Sequence, residues 1–222
     1  MAPSSAPPAA DRQPLWWYAG VLRRLRPRGA RLLQVECGSG ELLRHLADHY
    51  EVFGFDVRPR ERSRCRMNVP SAVVLEDWET RPDGGCDVVV SIGAFGRRGG
   101  RAQVRGLLAA LAPGGVLVLI VPNPGGWGRR LKGAVWDARW WADGEALLSK
   151  GEWKTLLREQ GLRLVAVPGD GLWDPPYVAL VPTVLQQAVG DAALAMRSLL
   201  PVGWSGGDIG ERMILIAERS AA

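Results

Sequence analysis

The sequence predicts an α/β chain, a parallel sheet covered by helices on both faces. From Arg31 onward, short apolar runs alternate with amphipathic segments, the pattern of strands interleaved with covering helices. With 222 residues, 47% hydrophobic and 23% charged, the chain can bury one core and carry an appendage. Glycine and proline together make about a fifth of it, which calls for many turns and at least one irregular region.

The elements follow in order. Residues 1–14, MAPSSAPPAADRQP, have neither a basic start nor a continuous apolar stretch, so they read as a disordered tail rather than a secretory signal. Leu15, Val21, Leu22 and Leu25 recur at helical spacing and give a short lead-in helix that stops at Pro27. The first strand is Arg31 to Glu36, followed by a glycine turn over 37–40 and a helix from Glu41 to about His49. The second strand, Val52 to Phe55, ends at Asp56, with a solvent-facing helix over 58–66. Ala72 to Leu75 is the third strand and Cys86 to Val90 the fourth. A helix from about Gln103 to Leu111 stops at Pro113-Gly114-Gly115, and the fifth strand is Val116 to Val121. The Trp-rich stretch 122–144 reads as irregular, and a helix from about Gly151 to Gln160 is closed by Gly161. The sixth strand is Leu162 to Val167 and the last is Met213 to Ala217. More than forty residues separate these two, too many for a plain loop, so a cap is expected before the last strand.

Net charge is +5, yet the arginines are scattered in pairs with no run of five or more, which favours general surface solvation over a nucleic-acid footprint. Cys37, Cys65 and Cys86 are odd in number and lack metal-site spacing, so neither a disulfide framework nor a metal is implied, and a reduced cytoplasm fits. His45 and His49 stand one turn apart, a spacing that can hold a metal but that more simply caps the helix or faces solvent. No apolar stretch reaches membrane-spanning length.

Residues 32–40, Leu-Leu-Gln-Val-Glu-Cys-Gly-Ser-Gly, run a buried strand into a two-glycine turn, where a Cβ would obstruct a ligand lying close to the backbone. Asp56 ends the next strand, at the carboxyl edge where such sheets bind ligands, and can accept two ribose hydroxyls. This suggests an adenosine-type cofactor. A dinucleotide site would want a third glycine where Leu43 stands, so a diphosphate is disfavoured.

On these residues the chain resembles the class I S-adenosylmethionine-dependent methyltransferases over residues 31–121 and, more loosely, 151–218. The resemblance implies a Rossmann-like, seven-stranded, mostly parallel sheet with an antiparallel last strand, one methyltransferase domain over 15–222, and substrate-cap segments at 122–145 and 169–208. It implies that Gly38, Ser39 and Gly40 line the methionine part, Asp56 the ribose, Asp77 and Trp78 the adenine, and Ser91 the start of the substrate side, with Glu36 and Val57 also among the cofactor-binding residues. Gln34 stands where the family commonly has an acid, and Glu36 where it has the first loop glycine. The stretches 128–136, Glu152-Trp153 and 171–177 are similar to bacterial small-molecule methyltransferases of the type 11 or 23 groups.

On the substrate side, eight of the ten tryptophans fall outside the sheet core and either line a pocket for a flat or greasy acceptor or form the cap's own small core. Trp16, Tyr18, Asn123, Trp136, Trp173 and Tyr177 are the candidate substrate contacts. Asp143 and Asp174 are the carboxylates that could take a proton from a hydroxyl acceptor. Asp174-Pro175-Pro176-Tyr177 matches the D-P-P-Y signature of amino-methylating nucleic-acid enzymes, but it follows the sixth strand rather than the fourth and reads as a rigid turn. Residues 178–200, apolar at helical spacing, suggest a lid, a dimer face or a membrane-surface helix. The expected activity is methyl transfer to a small, partly hydrophobic or aromatic acceptor, with oxygen preferred. The alternatives are a catalytically silent methyltransferase-like partner subunit and, behind it, an NAD(P)-dependent oxidoreductase.

Overall fold

The computed structural model describes residues 13–77, 80–93, 100–140, 147–202 and 208–219, with backbone only for 100–103. The lead-in helix α1 (Leu15–Leu22) precedes β1 (Arg31–Val35), α2 (Glu41–Arg44), β2 (Glu51–Phe55), α3 (Pro59–Asn68), β3 (Val73–Val74) and β4 (Cys86–Ile92). Then come α4 (Gly100–Ala110), β5 (Leu111–Pro122), α5 (Trp127–Lys132), α6 (Ala134–Trp140), α7 (Lys150–Glu159), β6 (Leu162–Ala166), α8 (Thr183–Arg197) and β7 (Arg212–Arg219).

The seven strands form one sheet in the order β3-β2-β1-β4-β5-β7-β6. β1 to β5 pair in parallel, and β7 runs antiparallel between β5 and β6. This is the sheet that the sequence predicts. On one face Leu32, Val88, Val90 and Val118 pack against Tyr18 and Leu22 of α1, Leu42 and Leu43 of α2, and Cys65 of α3. On the other, Leu33, Val89, Leu117 and Leu215 meet Val104 and Leu107 of α4 and Trp153 and Leu157 of α7. Burial on both faces explains why the central strands are continuous apolar runs.

Two expectations are corrected. The stretch 122–144, read as irregular, contains two short helices up to residue 140. Gly133, at φ 53°, separates α5 from α6, and Trp136 and Trp140, one turn apart, bury together against Leu147. The fifth strand starts at Leu111 rather than Val116, because the ladder to β4 resumes across the Pro113-Gly114-Gly115 irregularity, pairing Cys86 with Leu111 and then Val88 with Val116.

Candidate active site

The strand order reverses between β1 and β4, and at such a switch point the loops leaving the carboxyl edge part to form a crevice. Here the turn 36–40 leaves β1, Asp56 and Val57 leave β2, Asp77 follows β3, and Ser91 is the last residue but one of β4. The parallel ladder sets Val35 opposite both Phe55 and Ser91, and Gly54 opposite Val74, so these four loops stand side by side.

The two turn glycines have different roles. Gly38 is left-handed, at φ 54°, and a Cβ there would meet nothing within 4 Å, so it borders open space. Gly40, at φ 81°, is closed in: a Cβ would lie 2.7 Å from Cys65 Sγ and 3.0 Å from Val69 Cγ2, which presses the start of α2 onto α3. Glu36 adopts φ 56° without being glycine. Its carboxyl titrates above the ordinary range, through burial first and then the charge of Asp56, with Arg58 acting the other way.

Asp56 is fully buried. Its Oδ2 accepts the Gly38 N–H at 2.9 Å and Arg58 Nη2 at 3.1 Å, and its Oδ1 accepts the Arg58 N–H at 2.9 Å and Arg58 Nε at 3.0 Å. Burial alone would raise its pKa, but these bonds from Arg58 and Gly38 outweigh it and hold the carboxyl below its ordinary value. The carboxylate therefore braces the turn, and Arg58 covers it. Asn68 Nδ2 pins the turn from α3 by donating to the Ser39 carbonyl at 3.0 Å. Ser91 Oγ and, from β1, Gln34 Oε1 are buried without a hydrogen-bond partner among the described residues. Two such oxygens on the strands that border the switch point are polar groups whose burial costs free energy until a partner is found. Val57 is exposed, and Asp77 caps a turn by accepting the Thr80 N–H at 2.9 Å. Trp78 lies outside the described residues.

The candidates expected on the substrate side divide into two buried clusters and some outliers. Tyr18 is not presented to an open cavity: it is fully buried, and its hydroxyl donates to Asp170 Oδ2 at 2.7 Å. Trp173 Nε1 donates to the same oxygen at 2.6 Å, and the Arg212 N–H to Asp170 Oδ1 at 2.8 Å. The Arg212 guanidinium sits over Trp140 at 4.8 Å and over Trp173 at 5.4 Å. Burial pushes the Asp170 carboxyl up to about 6, against the pull of Arg212. The second cluster fixes the Asp174–Tyr177 turn, which contains a cis Pro175-Pro176 bond. Lys132 Nζ stands 2.8 Å from both Asp174 Oδ2 and Glu211 Oε1, Arg139 also pairs with Asp174, and Tyr177 donates to Glu211 Oε1 at 2.7 Å. Asp174 is thus held by two cations rather than standing free as a base. Trp136 is buried in its own cluster, Asn123 is buried beneath Gly126, and Trp16 is 43% exposed on α1. Asp143 lies outside the described residues.

Sequence reasoning missed Asp170, Arg212, Lys132 and Glu211. A signal existed for the first, since an acid between glycines at 169–171, straight after a strand, is a turn-forming acid poised at the carboxyl edge.

A family model described as a methyltransferase domain matches residues 11–167 of the chain. A search among curated protein sequences gives no match. Among solved structures, the chain is similar to a methyltransferase solved in complex with the Haloferax volcanii Trm112 methyltransferase activator, at TM-score 0.64 and 18% identity over 96% of this chain and 92% of that one. It is similar to an S-adenosylmethionine-dependent methyltransferase from Mesorhizobium loti, at TM-score 0.60 and 19% identity over 92% and 98% of the two chains. It is also similar to the plantazolicin methyltransferase BpumL in complex with S-adenosylhomocysteine, at TM-score 0.60 and 13% identity over 93% and 85%. At these identities the structural likeness speaks for the fold.

Proposed function

The chain belongs to the methyltransferase domain family, in which S-adenosylmethionine is the methyl donor, and from that premise we propose that it methylates a small, partly hydrophobic or aromatic acceptor, preferably at oxygen. The observation that carries the reading is the turn at the switch point: an open, left-handed Gly38 tied to Asp56, on strands β1 and β4 whose Gln34 and Ser91 oxygens have no hydrogen-bond partner among the described residues. In this reading Gly38, Ser39 and Gly40 hold the methionine part, Asp56 the ribose once the Arg58 side chain turns away from it, Asp77 and Trp78 the adenine, Glu36 and Val57 complete the cofactor contacts, and Ser91 opens the acceptor side. The bound cofactor supplies a methyl group on a sulfonium. The chain's contribution is alignment and exclusion of water, which can provide most of the acceleration for an in-line displacement. The segments 122–145 and 169–208 cover the acceptor, within one domain over 15–222.

Oxygen is preferred because an already ionised oxygen needs no proton acceptor, and Asp174 is engaged by Lys132 and Arg139. Turnover with methyl-labelled cofactor against hydroxylated, carboxylated and aminated amphiphiles tests this. Label in an ether or ester supports the reading, and label confined to an amine or carbon overturns the preference for oxygen.

The residues 178–200 are proposed as a contact face, since Leu180, Val184 and Leu199 stand more than three-quarters exposed. Vesicle flotation and sedimentation separate a lipid surface from a second copy. Among the described residues no helix is long and apolar enough to cross a membrane. The free thiols of Cys37, Cys65 and Cys86 support a cytoplasmic setting. A silent, partner-binding role is the second reading, favoured by Glu36 in a left-handed conformation and by Arg58 covering Asp56. Leu43, fully buried against Gly54 where a third glycine would stand, speaks against the oxidoreductase.

A further inference from the structure

Asp56 is shut off from solvent, and the group that shuts it off is movable. The carboxylate has no exposed surface, whereas the Arg58 side chain paired with it is 63% exposed. Two of the hydrogen bonds that the carboxylate accepts come from backbone, the Gly38 and Arg58 N–H groups, each at 2.9 Å. The other two come from the Arg58 guanidinium, Nε on Oδ1 at 3.0 Å and Nη2 on Oδ2 at 3.1 Å. An ionised carboxyl offers about four acceptor sites, so none is left for a ligand hydroxyl while the guanidinium stays.

The surroundings hold their place without that guanidinium. Arg62, a largely buried side chain of α3, donates from Nη1 to the Asp56 carbonyl at 2.8 Å and pairs with Glu76 at 3.4 Å, which ties the end of β2 to the helix. The Gly38 N–H keeps the carboxylate on the turn. Arg58 itself stands just before α3 with extended backbone, at φ −89° and ψ 114°, so no helical neighbours confine its side chain. Release of Asp56 therefore needs rotation of one side chain only. Glu36 and Glu61, whose charges both act on Arg58, give the departing guanidinium acidic neighbours.

We infer that Arg58 is a latch on the cofactor site: its guanidinium holds the acceptor positions of Asp56 that the ribose hydroxyls need, and it opposes cofactor binding until it swings out. The inference rests on the ribose reading of Asp56 given above. A forked, charge-assisted pair is the strong kind of hydrogen bond, and neutral hydroxyls replace it at a loss. Because the arginine half of the pair faces water, added salt loosens the latch and leaves the backbone donors in place.

The test is calorimetric titration of the full chain with S-adenosylhomocysteine, for wild type, Arg58→Met and Arg58→Lys, at about 20 mM and about 500 mM sodium chloride. Arg58→Met, which keeps both backbone donors, is expected to bind about five- to tenfold tighter than wild type at low salt. At high salt the two should agree within about twofold, since only wild type has an ion pair to screen. Arg58→Lys, a cation without the planar fork, should fall between them, and it carries the test alone if the methionine variant does not fold. Equal or weaker binding by the variants while wild type binds, or a gain that persists undiminished at high salt, would overturn the latch and leave the cofactor reading standing. Absence of binding by all three proteins would overturn both.

Discussion

At Gly40 the left-handed backbone and the contact with Cys65 act together, whereas at Gly38 only the backbone is special. Gly40→Ala should therefore cost about 2–3 kcal/mol of stability, and Gly38→Ala about 1 kcal/mol, as urea midpoints would show. Equal losses would mean that the α2 contact with α3 is loose. The G-x-G pattern and the acid at 56 were legible because they follow a buried strand directly. That the second glycine serves packing was not, since its neighbour Cys65 is brought in by a separate helix. Nor was the clamp on Asp56, because Arg58 sits in a turn where periodicity says nothing about contacts.

Among the elements, the cap is anchored through two buried polar clusters, and each gives a prediction. Asp170 ionises at about 6 in the folded protein against an ordinary 3.8. The folded state thus holds this proton where the unfolded chain has lost it, and the contribution of Asp170 to stability falls as pH rises from about 4 to about 6, by on the order of 3 kcal/mol at full amplitude. Asp170→Asn will be less stable throughout, because an amide cannot accept from Tyr18, Trp173 and Arg212 together. Its urea midpoint, however, should decline less than that of the wild-type chain across this window, and an unchanged slope would refute the assignment. Lys132→Met leaves Glu211, 1% exposed, without its cation, and should cost about 3 kcal/mol. A loss below about 0.5 kcal/mol would show that the pair is solvated. Helix α7 illustrates partial legibility at this scale. Its body was evident from periodicity, while its start lies one residue earlier, set by a capping box in which Ser149 and Glu152 bond reciprocally. The helices α5 and α6 were hidden by the glycines around them, although Trp136 and Trp140 already carried a helical spacing.

For the whole molecule, the alternation of strands and helices was enough for fold class, and the family resemblance supplied the antiparallel β7. Strand order is set by non-local pairing, which a local reading cannot supply. The segments proposed to cover the acceptor were the least legible part, since Tyr18 and Asp170 are 152 positions apart and meet only through the fold of the whole chain. The central claim is that the crevice between β1 and β4 binds an S-adenosyl ligand through the Gly38 turn and Asp56. Calorimetric titration with S-adenosylhomocysteine, alongside NADPH, tests it most directly. The account predicts micromolar affinity for S-adenosylhomocysteine alone, weakened by about 1–3 kcal/mol in Asp56→Ala. No binding of that ligand, tighter binding of NADPH, or an Asp56→Ala affinity equal to that of the wild-type chain would contradict it.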